Sequence, residues 1–459
     1  MAQFGHVPLP NISLGDRPAE TTIDEYRSRV ADAARLLRDN DLDAAVVYGD
    51  REYFGDIYHL TGVDPRFEEG ILILSSAGVG TLLLGNEDFD FGPAREIGHA
   101  VELWQDLSPA GQRRDKPARL HDLLGRAGIT SGVRVGLNGQ KRMDPEFFDG
   151  DEVRFSAPHY LVETVRDAVG ATGSVTDIKE LFTDPATGLR ARASAHDIAL
   201  FEFGASVSSL SVLRVMQGIE VGVYADALSD VMIRRGLADT AHAMVNFASS
   251  RGLNSPRHLP ARLGEKYQIA HGVRGGLTCR TGMVASSASE LVGPARGMYE
   301  PLVLNYFDTL VAWWESVAVG ADSEHVFAAT DAVRDPELFD FALNPGHSLH
   351  YEEWSHSSFW PGHGRPLVSG NVLQCDIIPA TTVSFMSVDI EDGIALADAA
   401  LRAELAADYP DLWDRVQRRR AFLTDEIGIR VADSVLPLSN MPLWHAPFVL
   451  DPTINLVRR

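Results

Sequence analysis

Ser369–Leu396 reads SGNVLQCDIIPATTVSFMSVDIEDGIAL and places two acids inside apolar runs of strand length. Asp376 lies within Val372–Ile378, and Glu391 within Val388–Leu396. Short apolar runs bounded by turn chemistry are the pattern of buried strands, and Pro379-Ala380-Thr381-Thr382 supplies a connection. The stretch therefore predicts an antiparallel hairpin with its two acids near one level. A buried carboxylate is costly unless it meets a metal, a cation or a polar substrate. Asp376 and Glu391 thus either face a binding cavity or lie on an exposed face beside the turn. Alternation along the strand turns Cys375 to the face opposite Asp376.

The chain has 459 residues, 45% of them hydrophobic, enough for two cores at about 100–200 residues per domain. Its net charge is -23, and four of its 41 basic residues are lysines. An acidic surface without a basic stripe argues against nucleic acid and anionic membranes as partners. Cys279 and Cys375 have no C-x-x-C spacing, which excludes a disulfide framework and a structural zinc motif. The opening residues lack a basic start and an apolar core, and no apolar run is read as approaching the roughly 18 residues of a membrane span. The expectation is a cytoplasmic protein.

Thr22–Asp39 carries Ile23, Tyr26, Val30, Ala33 and Leu37 at near-helical spacing and is closed by Asn40-Asp41. Strands are predicted at Asp43–Tyr48, Gly70–Leu74 and Gly80–Leu84. Turn chemistry at Asp184-Pro185-Ala186-Thr187-Gly188 sets a boundary, giving domains 1–190 and 191–459. Ser194 is the N-cap of a helix through Met216, and Val223–Arg235 reads as a second helix. Asn254–Gly297 is either a substrate-facing loop or a pair of strands at Gln268–Val273 and Leu277–Val284. Two further helices close the chain, Ala399–Ala407 and Asp411–Gly428.

The string DIEDGIAL resembles the last strand of the pita-bread enzymes, the family of methionine aminopeptidase, aminopeptidase P and creatinase, which reads R-I-E-D-x-x-x-V. In that family the Glu of this strand and an acid one strand earlier help hold two metal ions, which implies Glu391 and Asp376 here. Leu367–Val372 followed by Asp376 resembles L-x-P-G-M-V-x-x-x-E-P, with Asp one methylene shorter than Glu. Asn344–Trp354 resembles a contracted G-H-G-x-G-x-x-x-H-E-x-P, which would make His347 and His350 the metal-binding and proton-moving histidines, with Glu353 beside them. Alternatively, Asn344-Pro345-Gly346 is the family's helix-ending K-P-G and both histidines are loop residues. Pro301–Phe307 through Glu315–Gly320 resembles the hairpin D-x-V-x-x-D-x-G…D-x-x-R-T-F. There Asn305 replaces the first ligand, and the second falls near Glu315 or Ser316.

An amide is a poor ligand for a hard or borderline dication, so the expectation is a site without metal. The alternative is two divalent cations such as manganese or zinc, on Asp376, Glu391 and His347. Leu304-Asn305-Tyr306-Phe307 also resembles L-N-C-F of creatinase, which hydrolyses a guanidino C–N bond without metal. By that likeness Asn305, Glu315 and the strand acids bind a cationic substrate. Ala285–Glu290 offers serines where creatinase has its histidine, leaving His271, His347 or His350 to move the proton.

Tyr58-His59-Leu60-Thr61-Gly62 and its flanking strands resemble the N-terminal domain of the same enzymes, which can lend a residue to a partner's active site. Arg66 holds that position, or else forms a surface ion pair with Glu69. The fold class expected is α/β (α+β), a creatinase-like N-terminal domain followed by a pita-bread domain with a helical extension. The implied function is a homodimeric hydrolase of a C–N bond in a small cationic or zwitterionic molecule or short peptide. The alternatives are a metal-dependent Xaa-Pro aminopeptidase and an inactive binding protein of the same fold.

Overall fold

The computed structural model describes residues 1–148, 153–247, 255–381 and 387–459, with His242 described by its backbone alone. Thr382, at the end of the expected connection, and Asn254, at the start of the expected loop, lie outside them. The chain divides into two compact units, Ala19–Arg190 and Ala191–Arg459 together with Met1–Pro18. The first 18 residues, which the sequence reading placed in the N-terminal domain, belong to the second unit. Ala2–His6 pairs there, antiparallel, with Ile454–Arg458.

The Ala19–Arg190 unit is built on a six-stranded sheet. Ala44–Gly49 runs antiparallel to Gly70–Ser75 and parallel to Arg134–Asn138. Every residue of Ala44–Gly49 is buried, the pattern of a strand covered on both faces. The helix Ile23–Asp39 begins where Thr22 accepts a hydrogen bond from the Glu25 amide, and it buries Tyr26, Val30, Ala33 and Leu37. Asp56, on the short helix Gly55–Thr61, is buried and held by Lys179 Nζ at 2.6 Å, Arg190 Nε at 2.7 Å and Asn138 Nδ2 at 2.8 Å. Its charge is therefore satisfied by structure-holding partners.

The second unit carries the sheet that matters for function. Its strands are β1 (Asp239–Phe247), β2 (Lys266–Val273), β3 (Gly276–Met283), β4 (His347–Ser348), β5 (Val372–Cys375), β6 (Asp389–Leu396) and β7 (Val435–Pro437). They lie in the order β4-β5-β6-β3-β2-β1, with β7 also on β6. The stretch 254–297 thus contains strands over 266–273 and 276–283, the strand reading of the two left open. Arg274 and Gly275 form the tight turn between them, with Gly275 at φ +82°, where a side chain would be strained.

The helix Ala195–Gly218 starts at a capping box, Ser194 with Asp197. It approaches the β2–β3 turn so closely that a Cβ at Gly204 would lie 2.5 Å from the Arg274 carbonyl. By length and mean hydropathy this helix passes the test for a membrane span, which the sequence reading did not expect. However, 83% of its apolar window is buried inside the unit, and Glu202 on it pairs with Arg415 and Arg419. The second expected helix, Val223–Arg235, shrinks to Ala225–Ser229.

The largest correction falls on residues 301–320. They form no hairpin: Ala295–Ser316 is one helix. Leu302, Val303, Tyr306, Phe307, Leu310, Val311 and Trp314 recur at helical spacing and are all buried, so burial of that stripe decides the conformation. Pro301 sits in the helix at the cost of one backbone hydrogen bond.

Candidate active site

The row of residues facing the cavity follows from strand register. Glu391 on β6 lies directly opposite Cys279 on β3, and Cys279 opposite Ala270 on β2. On the other side of β6, Cys375 pairs with Asp392, so Asp376 follows beside Glu391. Asp389, two residues before Glu391 on the same strand, shares its face. His347 comes from β4, paired with Gln374. These side chains line a cavity of about 190 Å³ whose wall also includes Met244, Leu277, Leu343, Ile378, Glu353 and Trp354.

His347 Nε2 lies 3.8 Å from Asp376 Oδ2 and 3.6 Å from Glu391 Oε1. Those spacings are too long for direct hydrogen bonds and suit three groups that share a fourth partner between them. Nδ1 lies 3.3 Å from the Ser348 carbonyl. An Nδ1–H donating there leaves the Nε2 lone pair aimed at the two carboxylates. The Trp354 ring stacks on the imidazole, with centroids 4.1 Å apart and planes at 20°. Asp376 Oδ1 and Glu391 Oε1 are buried without a hydrogen-bond partner among the described residues.

Burial dominates the electrostatics. It raises the Asp376 carboxyl well above its usual range, and the Glu391 charge adds to the rise. Glu391 is pushed up to about 8, chiefly by burial, with the Cys279 thiol hydrogen bond opposing. Asp389 is raised by burial and then by Glu391. Burial holds His347 below its usual value, against the pull of Asp376. A site that disfavours three carboxylate charges in one cavity is one that wants a cation.

Behind this row, on the opposite face, a buried ion pair fixes the strands. Arg280 Nη2 lies 3.0 and 2.8 Å from the two Asp392 oxygens. Its Nη1 donates to the carbonyls of Cys279 at 2.7 Å and Glu391 at 3.1 Å, the residues whose side chains face the cavity.

The other expected site residues lie elsewhere. His271 pairs with Thr278, so it faces away from the Ala270–Cys279–Glu391 row; it is fully buried, with its nearest carboxylate, Asp239, at 3.9 Å. His350 turns its ring onto Phe201 and Tyr351, with centroids 4.9 and 4.3 Å away. No helix ends at Asn344-Pro345-Gly346: a two-residue strand, Asp340–Phe341, precedes it, and the helix-end alternative falls. Asn305 caps backbone instead of facing a ligand, donating to the Val333 carbonyl at 3.0 Å and accepting from the Asp335 amide at 2.8 Å. Glu315 pairs with Arg458 and accepts from the Arg430 amide. Arg66 belongs to the other unit, where it pairs with Asp64 at 2.8 Å rather than with Glu69 and lies 4.6 Å over the Phe54 ring.

Asn305, Glu315 and Ser316, the positions from which the expectation of a metal-free site comes, lie on the helix Ala295–Ser316 and not in the cavity wall, so they do not bear on metal binding. Residues 301–320 form no ligand hairpin, 301–316 being helical, and the β2–β3 hairpin that borders the cavity contains neither Asp nor Glu. The family's two-ion ligand set therefore does not fit. A smaller set does: ligand atoms of His347, Asp376 and Glu391 all lie within 4.8 Å of one another. Cys279, Asp389 and Trp354 escaped the sequence reading, since only cross-strand register brings the first two to Glu391.

No protein-family profile matches the chain, and no curated protein sequence matches it. Solved structures do. Dipeptidase PepE from Mycobacterium ulcerans aligns at TM-score 0.63 and 16% identity, over 83% of this chain and 95% of that one. A prolidase from Thermococcus sibiricus aligns at TM-score 0.61 and 18% identity, over 83% and 96%. An X-Pro aminopeptidase from Thermotoga maritima aligns at TM-score 0.59 and 12% identity, over 80% and 95%. The chain has the fold of these enzymes, an α/β architecture of the pita-bread type.

Proposed function

We propose that the protein is a hydrolase of C–N bonds in small cationic or zwitterionic molecules, short peptides included, and that it works with a divalent ion held by His347, Asp376 and Glu391. The observation that carries this reading is the convergence of an oriented imidazole and two buried, unpartnered carboxylate oxygens on one small cavity. One histidine and two carboxylates suit a borderline or hard dication. The proteins of like fold are dipeptidases, prolidases and an aminopeptidase, which favours an amide bond as the target.

A bound dication supplies Lewis-acid polarisation of the scissile carbonyl. The chain's own residues do the rest. Ser348 holds the His347 tautomer and Trp354 holds its plane. Met244, Leu277, Leu343 and Ile378 exclude water and limit substrate size. Glu353, on the same wall, carries the proton to the leaving nitrogen.

A second reading has one observation in its favour, the acid-free hairpin. In it no metal binds, Asp376 and Glu391 grip the substrate's cation directly, and His347 carries the proton. Metal analysis of protein purified without chelator separates the two. About one or more dications per chain, with hydrolysis of dipeptides abolished by chelation, supports the first. Metal-free protein that hydrolyses a cationic amide or guanidino compound refutes it and supports the second.

A further inference from the structure

Two residues along β6 from Glu391, a second row of side chains crosses the same cavity. Register sets Asn246 on β1 opposite Gln268 on β2, Gln268 opposite Thr281 on β3, and Thr281 opposite Asp389 on β6. All four line the cavity, and the mechanism above uses none of them. Thr281 is 4% exposed, and Asp389 Oδ1 is buried without a hydrogen-bond partner among the described residues. An oxygen of Asp389 lies within 4.8 Å of one of Glu391, which sets it beside the proposed ion ligands without making it one of them. The string that β6 resembles opens on Arg at this position, so the wall carries an acid where the likeness places a cation.

We infer that Asp389, Thr281 and Gln268 form the subsite for the substrate's cationic nitrogen, with Asp389 as the residue that selects for that cation. The inference rests on the proposed hydrolase reading and adds the residues that choose its substrates. An ammonium has three N–H donors and no acceptor, and the row offers it a carboxylate, a hydroxyl and an amide oxygen. A buried carboxylate with an unpartnered oxygen gains a charge-assisted hydrogen bond from such a group. A neutral group there leaves Asp389 unpaired, and an acidic one meets like charge, so the same row rejects acidic substrates. The short step from Asp389 to Glu391 calls for a cation near the scissile bond. The α-ammonium of an amino acyl group, separated from the carbonyl by Cα alone, is one source of it, and a basic side chain folded back is the other.

The test is calorimetric binding of uncleavable phosphinic dipeptide analogues to the full chain supplied with zinc: Ala-Ala with a free amine, its N-acetyl form, and N-acetyl-Lys-Ala. The wild type should bind a cationic analogue at least about 30-fold more tightly than N-acetyl-Ala-Ala, the scale of a buried charge contact. Preference for the free amine assigns the cation to the α-ammonium, and preference for the lysyl analogue assigns it to the side chain. Asp389→Asn should remove the preference and keep the zinc content of the wild type. Thr281→Val, which keeps the charge, should narrow the preference by about 3–10-fold and serves where Asp389→Asn does not fold. Equal wild-type affinity for all the analogues, a preference that survives Asp389→Asn, or loss of zinc in that variant overturns the inference and leaves the proposed hydrolase standing. A wild type that binds neither zinc nor any analogue overturns the inference together with the metal form of the proposed function.

Discussion

Arg280→Met should destabilise the second unit by about 3–5 kcal/mol, the usual cost of removing one partner from a buried ion pair. Both Arg280 and Asp392 are fully buried, so the orphaned Asp392 carboxylate has no water to turn to. The guanidinium also serves four carbonyls, those of Trp444, Cys279, Glu391 and Met441, at 2.7–3.1 Å. Met fills most of the vacated volume, so the loss reports electrostatics and hydrogen bonds rather than a cavity. Six of the seven tryptophans lie in this unit, which makes tryptophan fluorescence in urea the natural assay. With a urea slope of about 2 kcal/mol/M, the midpoint should fall by about 2 M. Adding Asp392→Leu should recover part of the loss, leaving about 1–3 kcal/mol for the Leu443 amide, which donates to Asp392 at 2.9 Å. A midpoint shift under about 0.5 M for the single variant, equivalent to about 1 kcal/mol, would refute the claim that this pair clamps the strands behind the site.

Raised carboxyls make the metal-free protein pH-sensitive. Glu391 holds its proton up to about 8 when folded, against 4.5 for an ordinary Glu. The folded state therefore binds more protons across that window, and stability should fall as pH rises through it. Glu391→Gln should flatten the decline, and urea midpoints at several pH values read it; an equally steep decline in the variant removes Glu391 as its source. His347→Ala, which removes a ligand of the proposed ion, should cost turnover of a dipeptide more than the roughly 10–100-fold that losing an outer partner of such a ligand costs, whereas His350→Ala should spare turnover and lose stability through its packing on Phe201 and Tyr351. Equal turnover losses in both variants would contradict the geometry. Asn305→Ala should leave turnover unchanged and cost about 1–2 kcal/mol for two lost backbone caps, measured in the same urea assay; a large rate loss with normal stability would return Asn305 to the site.

What the sequence made legible was local. Asp376 and Glu391 stand out because acids interrupt apolar runs of strand length, and Ser194 stands out because a cap residue precedes a long apolar helix. Residues 301–320 were misread because Pro301 looks like a break and Leu304–Phe307 matches a short string. The period of 302, 303, 306, 307, 310, 311 and 314 was the stronger physical signal. Cys279 and Asp389 are 110 residues apart, and nothing in either neighbourhood states the register that brings them to one carboxylate. His271 and His347 look alike in sequence and both are buried, and only strand register shows which of them reaches the cavity.

The pairing of Ala2–His6 with Ile454–Arg458 bears on the order of events during synthesis. Ala19–Arg190 has all its strand partners within itself, so it can fold while the rest of the chain is still being made. The second unit cannot close in the same way. Its first strand must wait for residues 454–458, and β6, which carries β5 and β4 on its other side, must find β3 across more than a hundred intervening residues. Such long-range pairing is slow. The nascent chain therefore carries an unpaired β1–β3 sheet edge through much of translation, and that edge is where a chaperone would be most needed.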